Sequence, residues 1–147
     1  MSDQMRKALD FAISKEEEAE AFYKEWSKKA SSSAVQALFS ELAGIEHDHK
    51  QMLSRITPEE MVATQESTQS DLNLSDWLTN VEASEDLSLQ EAMIVAMKRE
   101  ESAVKLYTRL AEMNGQARSL FQALAKEESR HKARLETEYD EHILTDN

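Results

Sequence analysis

Two short segments of this chain, Glu46-His47-Asp48-His49 and Glu128-Ser129-Arg130-His131, each place a Glu three residues before a His. Residues at that spacing share one face of a helix, so each pair can bind a metal ion or bridge two. Upstream of each pair lies a further Glu, in Glu16-x6-Tyr23 and in Glu100-x6-Tyr107. The halves are an internal repeat. Ala12–Tyr23 aligns with Ala96–Tyr107, matching Glu16 to Glu100 and Tyr23 to Tyr107. Leu38–Lys50 aligns with Leu120–Lys132, matching Glu46 to Glu128 and His49 to His131. One Glu-x-x-His alone would be read as a solvated helix face. Two in register, each preceded by an inward Glu, are not.

Four amphipathic stretches must position these groups. The first covers about residues 3–30, with Met5, Leu9, Ala12, Ala19, Tyr23 and Trp26 at spacings of three and four, and Ser31-Ser32-Ser33 breaks it. The second, about 34–56, carries Val35, Leu38, Leu42, Ile45, Leu53 and Ile56 and stops at Thr57-Pro58, since Pro lacks the helical N–H. The third, about 88–113, opens at a capping residue, Asp86 or Ser88, with Glu91 as capping-box partner to Ser88. Asn114-Gly115 should end it as a glycine C-cap. The fourth covers about 116–142.

At about 100° per residue, Glu46 and His49 fall on the stripe of Val35, Leu38, Leu42 and Leu53. Glu128 and His131 fall beside Phe121, Leu124 and Leu135. Glu16 shares a face with Leu9, Ala12 and Tyr23, and Glu100 with Ala96, Ala103 and Tyr107, whereas Glu17 and Glu101 point off the stripe. All six inward groups lie about four helical turns from their hairpin turn, so they meet at one height. The two short-looped hairpins are joined by a long link, about 57–87, in which Leu72, Leu74, Trp77, Leu78 and Val81 could pack on something. One long crossover is the connectivity of a ferritin-like bundle. The expected fold is therefore all-α, an antiparallel four-helix bundle spanning residues 1–147 as one domain.

Four inward carboxylates need compensation, because each charge removed from water costs several kcal/mol unless paired. No Lys or Arg shares their faces at that height. Two divalent ions would cancel four Glu, with one imidazole for each ion; protonation is the other escape. Oxygen-rich ligation with one imidazole per ion suits iron or manganese better than structural zinc.

This pattern resembles the ferritin-like di-iron carboxylate proteins, and within them the rubrerythrins, over about residues 3–55 and 88–142. The resemblance implies Glu16, Glu46, His49, Glu100, Glu128 and His131 as ligands of two iron ions, with manganese or zinc as substitutes. It implies Glu46 and Glu128 as the bridging pair. Tyr23 and Tyr107 become hydrogen-bond donors to ligand carboxylates, against the plainer reading of core packing. The implied activity is reduction of hydrogen peroxide or dioxygen; ferroxidase and iron storage, or a non-catalytic metal-bound scaffold or sensor, are the competing readings. Rubrerythrins also carry a rubredoxin domain with four Cys, and this chain has no Cys. Electrons would then come from an external donor protein. Where rubrerythrins place an extra Glu, three residues after the third helix's ligand, this chain has Ala103; Glu20 is a candidate seventh carboxylate. A homodimer is the expected assembly.

Composition narrows the alternatives. Seventeen Lys+Arg against 29 Asp+Glu give a net charge of −12, the wrong sign for a nucleic-acid binder or for docking on anionic lipid. Without Cys there is no thiolate metal site or Cys nucleophile. Two Gly and one Pro leave little turn chemistry. The longest apolar run, Ala92–Met97, cannot span a bilayer, and the N-terminal residues lack a targeting pattern; a cytoplasmic location is expected. His47 points off the stripe and reads as surface, His142 has no assigned role, and Met5, Met52, Met93, Met97 and Met113 read as core fillers rather than haem ligands.

Overall fold

The computed structural model describes residues 3–60 and 87–141. Their regular structure is four helices: α1 (Asp3–Lys29), α2 (Ser33–Ser54), α3 (Leu89–Met113) and α4 (Arg118–Tyr139). Each bound lies within a few residues of the expectation from periodicity. The residues between 61 and 86, including Leu72, Leu74, Trp77, Leu78, Val81 and Asp86, lie outside the described residues, as does His142.

Local chemistry accounts for the helix ends. Ser32 caps α2, its hydroxyl accepting from the Val35 amide, and the Gln36 side chain donates to the Ala30 carbonyl that α1 leaves free. At the other end of α2 the Arg55 and Ile56 amides close tighter three-residue turns on Met52 and Leu53, ahead of Thr57-Pro58. Ser88 makes the full capping box: Glu91 N–H donates to Ser88 Oγ and Ser88 N–H donates to the Glu91 carboxylate, both at 3.1 Å. The glycine C-cap expected after α3 does not form. Asn114 is extended (φ −124°, ψ 130°), and Gly115 has no positive φ. Instead Asn114 Nδ2 donates to the Leu110 carbonyl at 2.8 Å and Arg118 Nε to the Ala111 carbonyl at 3.1 Å. Side chains take up the freed carbonyls, so the left-handed residue is not needed.

Helices α1 and α2 form one hairpin and α3 and α4 the other. The two hairpins meet through α1 against α3 and α2 against α4, and these pairs stand further apart than partners within a hairpin. Cross-hairpin contacts fix the directions. Tyr23 reaches Glu100 while Tyr107 reaches Glu16, so α1 and α3 are antiparallel. His49 lies on Glu128 while His131 lies on Glu46, so α2 and α4 are antiparallel as well. It follows that α2 ends and α3 begins at opposite ends of the bundle, the crossover of a ferritin-like arrangement.

The apolar interior is in two parts. One packs Met5, Leu9, Leu53, Tyr107, Leu110 and Phe121 at the end where α1 begins. The other packs Phe22, Tyr23, Phe39, Leu42, Met93 and Leu135 at the opposite end. Between them lies the level of the six inward Glu and His.

Gly44 sits inside α2 on an exposed face, and a Cβ built there meets nothing within 4 Å. Helical Gly costs roughly 0.5–1 kcal/mol relative to Ala. Gly44→Ala should therefore stabilise the protein by about that amount in a denaturant melt; a loss of stability would show that this face is covered.

Candidate metal centre

Each helix delivers its share of the site by periodicity. Helices α1 and α3 each turn one Glu and one Tyr inward, and α2 and α4 each turn a Glu and the His one helical turn later. Glu16, Glu46, His49, Glu100, Glu128 and His131 are all between 1% and 4% exposed. Two groups of donor atoms result, each held within 4.8 Å: Glu16, Glu46, His49 and Glu128 form one, and Glu46, Glu100, Glu128 and His131 the other. Glu46 and Glu128 belong to both.

The imidazoles lie nearly parallel, with centroids 6.0 Å apart and planes at 14°. His49 Nδ1 is 2.8 Å from Glu128 Oε1 and 3.7 Å from Glu16 Oε2. His131 Nδ1 is 3.2 Å from Glu46 Oε1 and 3.7 Å from Glu100 Oε2. Close as they are, these atoms are not aimed as donor and acceptor. Each of the six side chains keeps one buried atom without a hydrogen-bond partner: Glu16 Oε2, Glu46 Oε1, Glu100 Oε2, Glu128 Oε1 and the Nδ1 of both His. Unsatisfied buried polar atoms are rare because each costs about 1–3 kcal/mol, more when charged. Six converging on one level is the geometry of a set of donors for cations.

The other atoms of the same groups are satisfied. Tyr23 OH donates to Glu100 Oε1 at 2.6 Å and Tyr107 OH donates to Glu16 Oε1, each bond crossing from one hairpin to the other. Tyr23 stacks on Phe39 and Tyr107 on Phe121, which fixes both rings. Burial, then the charges of nearby carboxylates, pushes both phenols well above their ordinary range, so both stay protonated donors. His49 Nε2 lies 2.5 Å from Glu127 Oε2, which directs Nδ1 to the centre.

The family comparison agrees with this geometry. A family model described as rubrerythrin matches residues 7–139. The chain belongs to the rubrerythrin family. Comparison with curated proteins and with solved structures gives no match. The two clusters, each of three carboxylates and one imidazole with two carboxylates in common, fit the dinuclear metal centre of a rubrerythrin.

Glu20 is not part of it. Its carboxylate turns outward to Lys24 at 2.7 Å, His47 at 3.1 Å and Lys50 at 3.8 Å, and Lys24 foremost holds it below the ordinary carboxyl range despite partial burial. His47 is half-exposed, as expected of a surface residue, but is tied to Glu20. Glu127 is a functional neighbour that the sequence alone does not single out. The repeat concealed it, because the position matching Glu127 in the first half is Ile45. The available signal was its place one turn before His131 on α4, the helix that faces His49. Among the described residues no helix is long and apolar enough to cross a membrane.

The carboxylates set a pH response in the metal-free protein. Burial, then repulsion from neighbouring carboxylates, raises Glu46 and Glu128 well above the ordinary 4.5. For His49 burial opposes the charge, but Glu16 and Glu127 outweigh it and raise it above 6.5. In each case the folded state binds its proton more tightly than the unfolded chain. The associated stability is present below the unfolded values and is lost as pH rises through the folded ones. The melting temperature of the metal-free protein should fall between about pH 5 and pH 8. Divalent metal should reverse the fall, with the larger rescue at the higher pH. A flat or rising profile without metal would contradict this electrostatic account.

Proposed function

We propose that this rubrerythrin is a dinuclear non-haem iron oxidoreductase that reduces hydrogen peroxide, or dioxygen, with electrons from a separate donor protein. One observation supports it most: two donor groups, each with its own imidazole, share Glu46 and Glu128 and leave six buried atoms unsatisfied. In this reading Glu16 and His49 would hold one ion and Glu100 and His131 the other, with Glu46 and Glu128 available to both. Iron in that position would supply the two electrons needed to break an O–O bond.

The chain's own groups have distinct tasks. Reducing peroxide to two waters consumes two protons, and Tyr23 and Tyr107 each hold one at a phenol oxygen bonded to a terminal carboxylate. Those bonds also fix the carboxylates in rotation, and Glu127 fixes the His49 ring. The apolar clusters on either side keep bulk water away. With no Cys in the sequence, this chain holds no four-Cys iron of its own, which is why the donor is placed on another protein.

Protein purified without oxygen should contain two iron ions per chain. Stopped-flow mixing with peroxide should remove the ferrous signal faster than for free ferrous iron, and turnover should follow when a reductant is supplied. No acceleration would overturn the proposal. Redox-silent metal in cell-purified material, with no oxidase activity, would replace it with the scaffold or sensor reading. A hollow-shell mass by gel filtration, in place of the proposed homodimer, would favour ferroxidase and storage.

A further inference from the structure

The two halves of the repeat hold their Tyr alike but surround it differently. In the first half Tyr23 lies in the run Phe22-Tyr23-x-x-Trp26. The matched run is Leu106-Tyr107-x-x-Leu110, with aliphatic side chains in place of both outer aromatics. Tyr23 and Trp26 are three residues apart and so are neighbours on the surface of α1. Phe22 contacts both rings, its centroid lying 5.8 Å from Tyr23, edge-on, and 6.5 Å from Trp26.

This run has an inner and an outer end. At the inner end the Tyr23 OH donates to Glu100 Oε1 at 2.6 Å, and the other oxygen of that carboxylate is one of the orphaned atoms of the centre. At the outer end the ammonium of exposed Lys29 lies 5.4 Å over the Trp26 ring, so the indole sits directly beneath the surface although it is only 6% exposed. Lys29 is paired with Glu25 at 2.6 Å and marks depth, not an open charge. All three rings belong to one apolar cluster beside the centre. Packing alone is met by Leu at the matched positions of the other half. Tyr and Trp are the aromatic side chains that give up one electron most readily. Here they stand in order between a carboxylate of the centre and the surface, with Phe22 filling the gap an electron would cross.

Resting on the dinuclear reading above, we propose that Tyr23 and Trp26 form a one-electron relay that drains oxidising equivalents from the centre to the surface when the donor protein is absent. Tyr23 gives one electron to the oxidised centre, and its phenol proton crosses the hydrogen bond to Glu100 Oε1, leaving a neutral phenoxyl radical. Trp26 then gives one electron to that radical, and the proton returns from Glu100 to the phenol oxygen. The indole radical left at Trp26 loses its Nε1 proton to solvent. It takes back one electron and one proton from a small reductant such as ascorbate. Two rounds supply the two electrons that, with two protons, turn one hydrogen peroxide into two waters. With no reductant, both electrons come from Trp26 and water adds to its ring. One indole and one hydrogen peroxide then give one hydroxyindole and one water.

The relay can be read without iron. In zinc-loaded protein carrying Trp77→Phe, checked for an unchanged melt, Trp26 is the one remaining Trp. A pulse of azide radicals, which oxidise Trp in preference to Tyr, reads the path in reverse. The indole radical absorbance should decay as a phenoxyl absorbance rises, at a rate independent of protein concentration. Tyr23→Phe should slow that transfer at least tenfold, and Tyr107→Phe should leave it within twofold. No transfer, an unchanged rate in Tyr23→Phe, or an equal loss in Tyr107→Phe would overturn the relay. A second test uses the two-iron protein and peroxide without reductant. Peptide mass spectrometry should find one added oxygen at Trp26, suppressed by ascorbate and at least tenfold lower in an iron-loaded Tyr23→Phe. Should Tyr23→Phe lose iron, Trp26→Phe stands in: its phenoxyl radical, seen by electron paramagnetic resonance, should persist several-fold longer than in the wild type. Equal oxidation of Trp26 in iron-loaded Tyr23→Phe, or an unchanged radical lifetime in Trp26→Phe, would refute the drain. If the wild-type protein bound no metal pair, the dinuclear reading would fail, while the pulse experiment on the metal-free chain still decided whether Tyr23 and Trp26 are coupled.

Discussion

Four carboxylates packed between two apolar clusters impose a charge problem on the whole bundle, and the rest of the structure is arranged around it. Among the described residues no Lys or Arg enters that layer. Lys15, Lys24 and Lys50 face carboxylates at its edge, Glu18 and Glu20. Two remedies remain, protons and metal ions. Protons alone leave the His nitrogens and carboxylate oxygens misaligned at distances of 2.8–3.9 Å, which accounts for the six unsatisfied atoms. Cations inserted among them answer the charge and the orphaned atoms together.

That layer also holds the hairpins together. Helices within a hairpin pack closely, whereas α1 and α3, and α2 and α4, stand apart around the centre. The phenols bridge the gap. Each Tyr is anchored in an apolar cluster by stacking on a Phe of its own hairpin, and its OH crosses to a carboxylate of the other. Positioning of the site and cohesion of the bundle therefore depend on the same bonds. Loss of one phenol oxygen would free a carboxylate to rotate and weaken the seam.

What the sequence made legible follows from which interactions are local. The helices and the six inward residues could be read because periodicity fixes which face a side chain takes, and the repeat supplied a second copy of each assignment. The Tyr-to-Glu bonds were implied by the family resemblance alone, since each Tyr donates to the Glu of the other hairpin and not to the one two turns away on its own helix. The features that escaped depend on a neighbouring helix. Glu20 has an inward-compatible position one turn after Glu16, but His47 and Lys50 across the hairpin draw it outward along with Lys24. Glu127 gains its role only when α4 lies against His49. Asn114 ends α3 through its own side chain, a choice that the Asn-Gly pair does not distinguish from a glycine cap.

Departures from the repeat distinguish the two donor groups. The repeat maps α1 onto α3 and α2 onto α4, so a perfectly duplicated bundle would treat both groups alike while its two faces differ. The matched pair Ala19 and Ala103 lines the α1/α3 cavity from both halves, and at its edge Lys15 is paired with Glu18. The pair Glu127 and Ile45 is broken, so only His49 has a carboxylate behind it from that position. A carboxylate on the far nitrogen raises the basicity of an imidazole ligand and fixes its orientation. The two ion positions are consequently inequivalent even though their donor lists match. Glu46 and Glu128 nevertheless tie the groups together, being common to both and lining the cavity between α1 and α3.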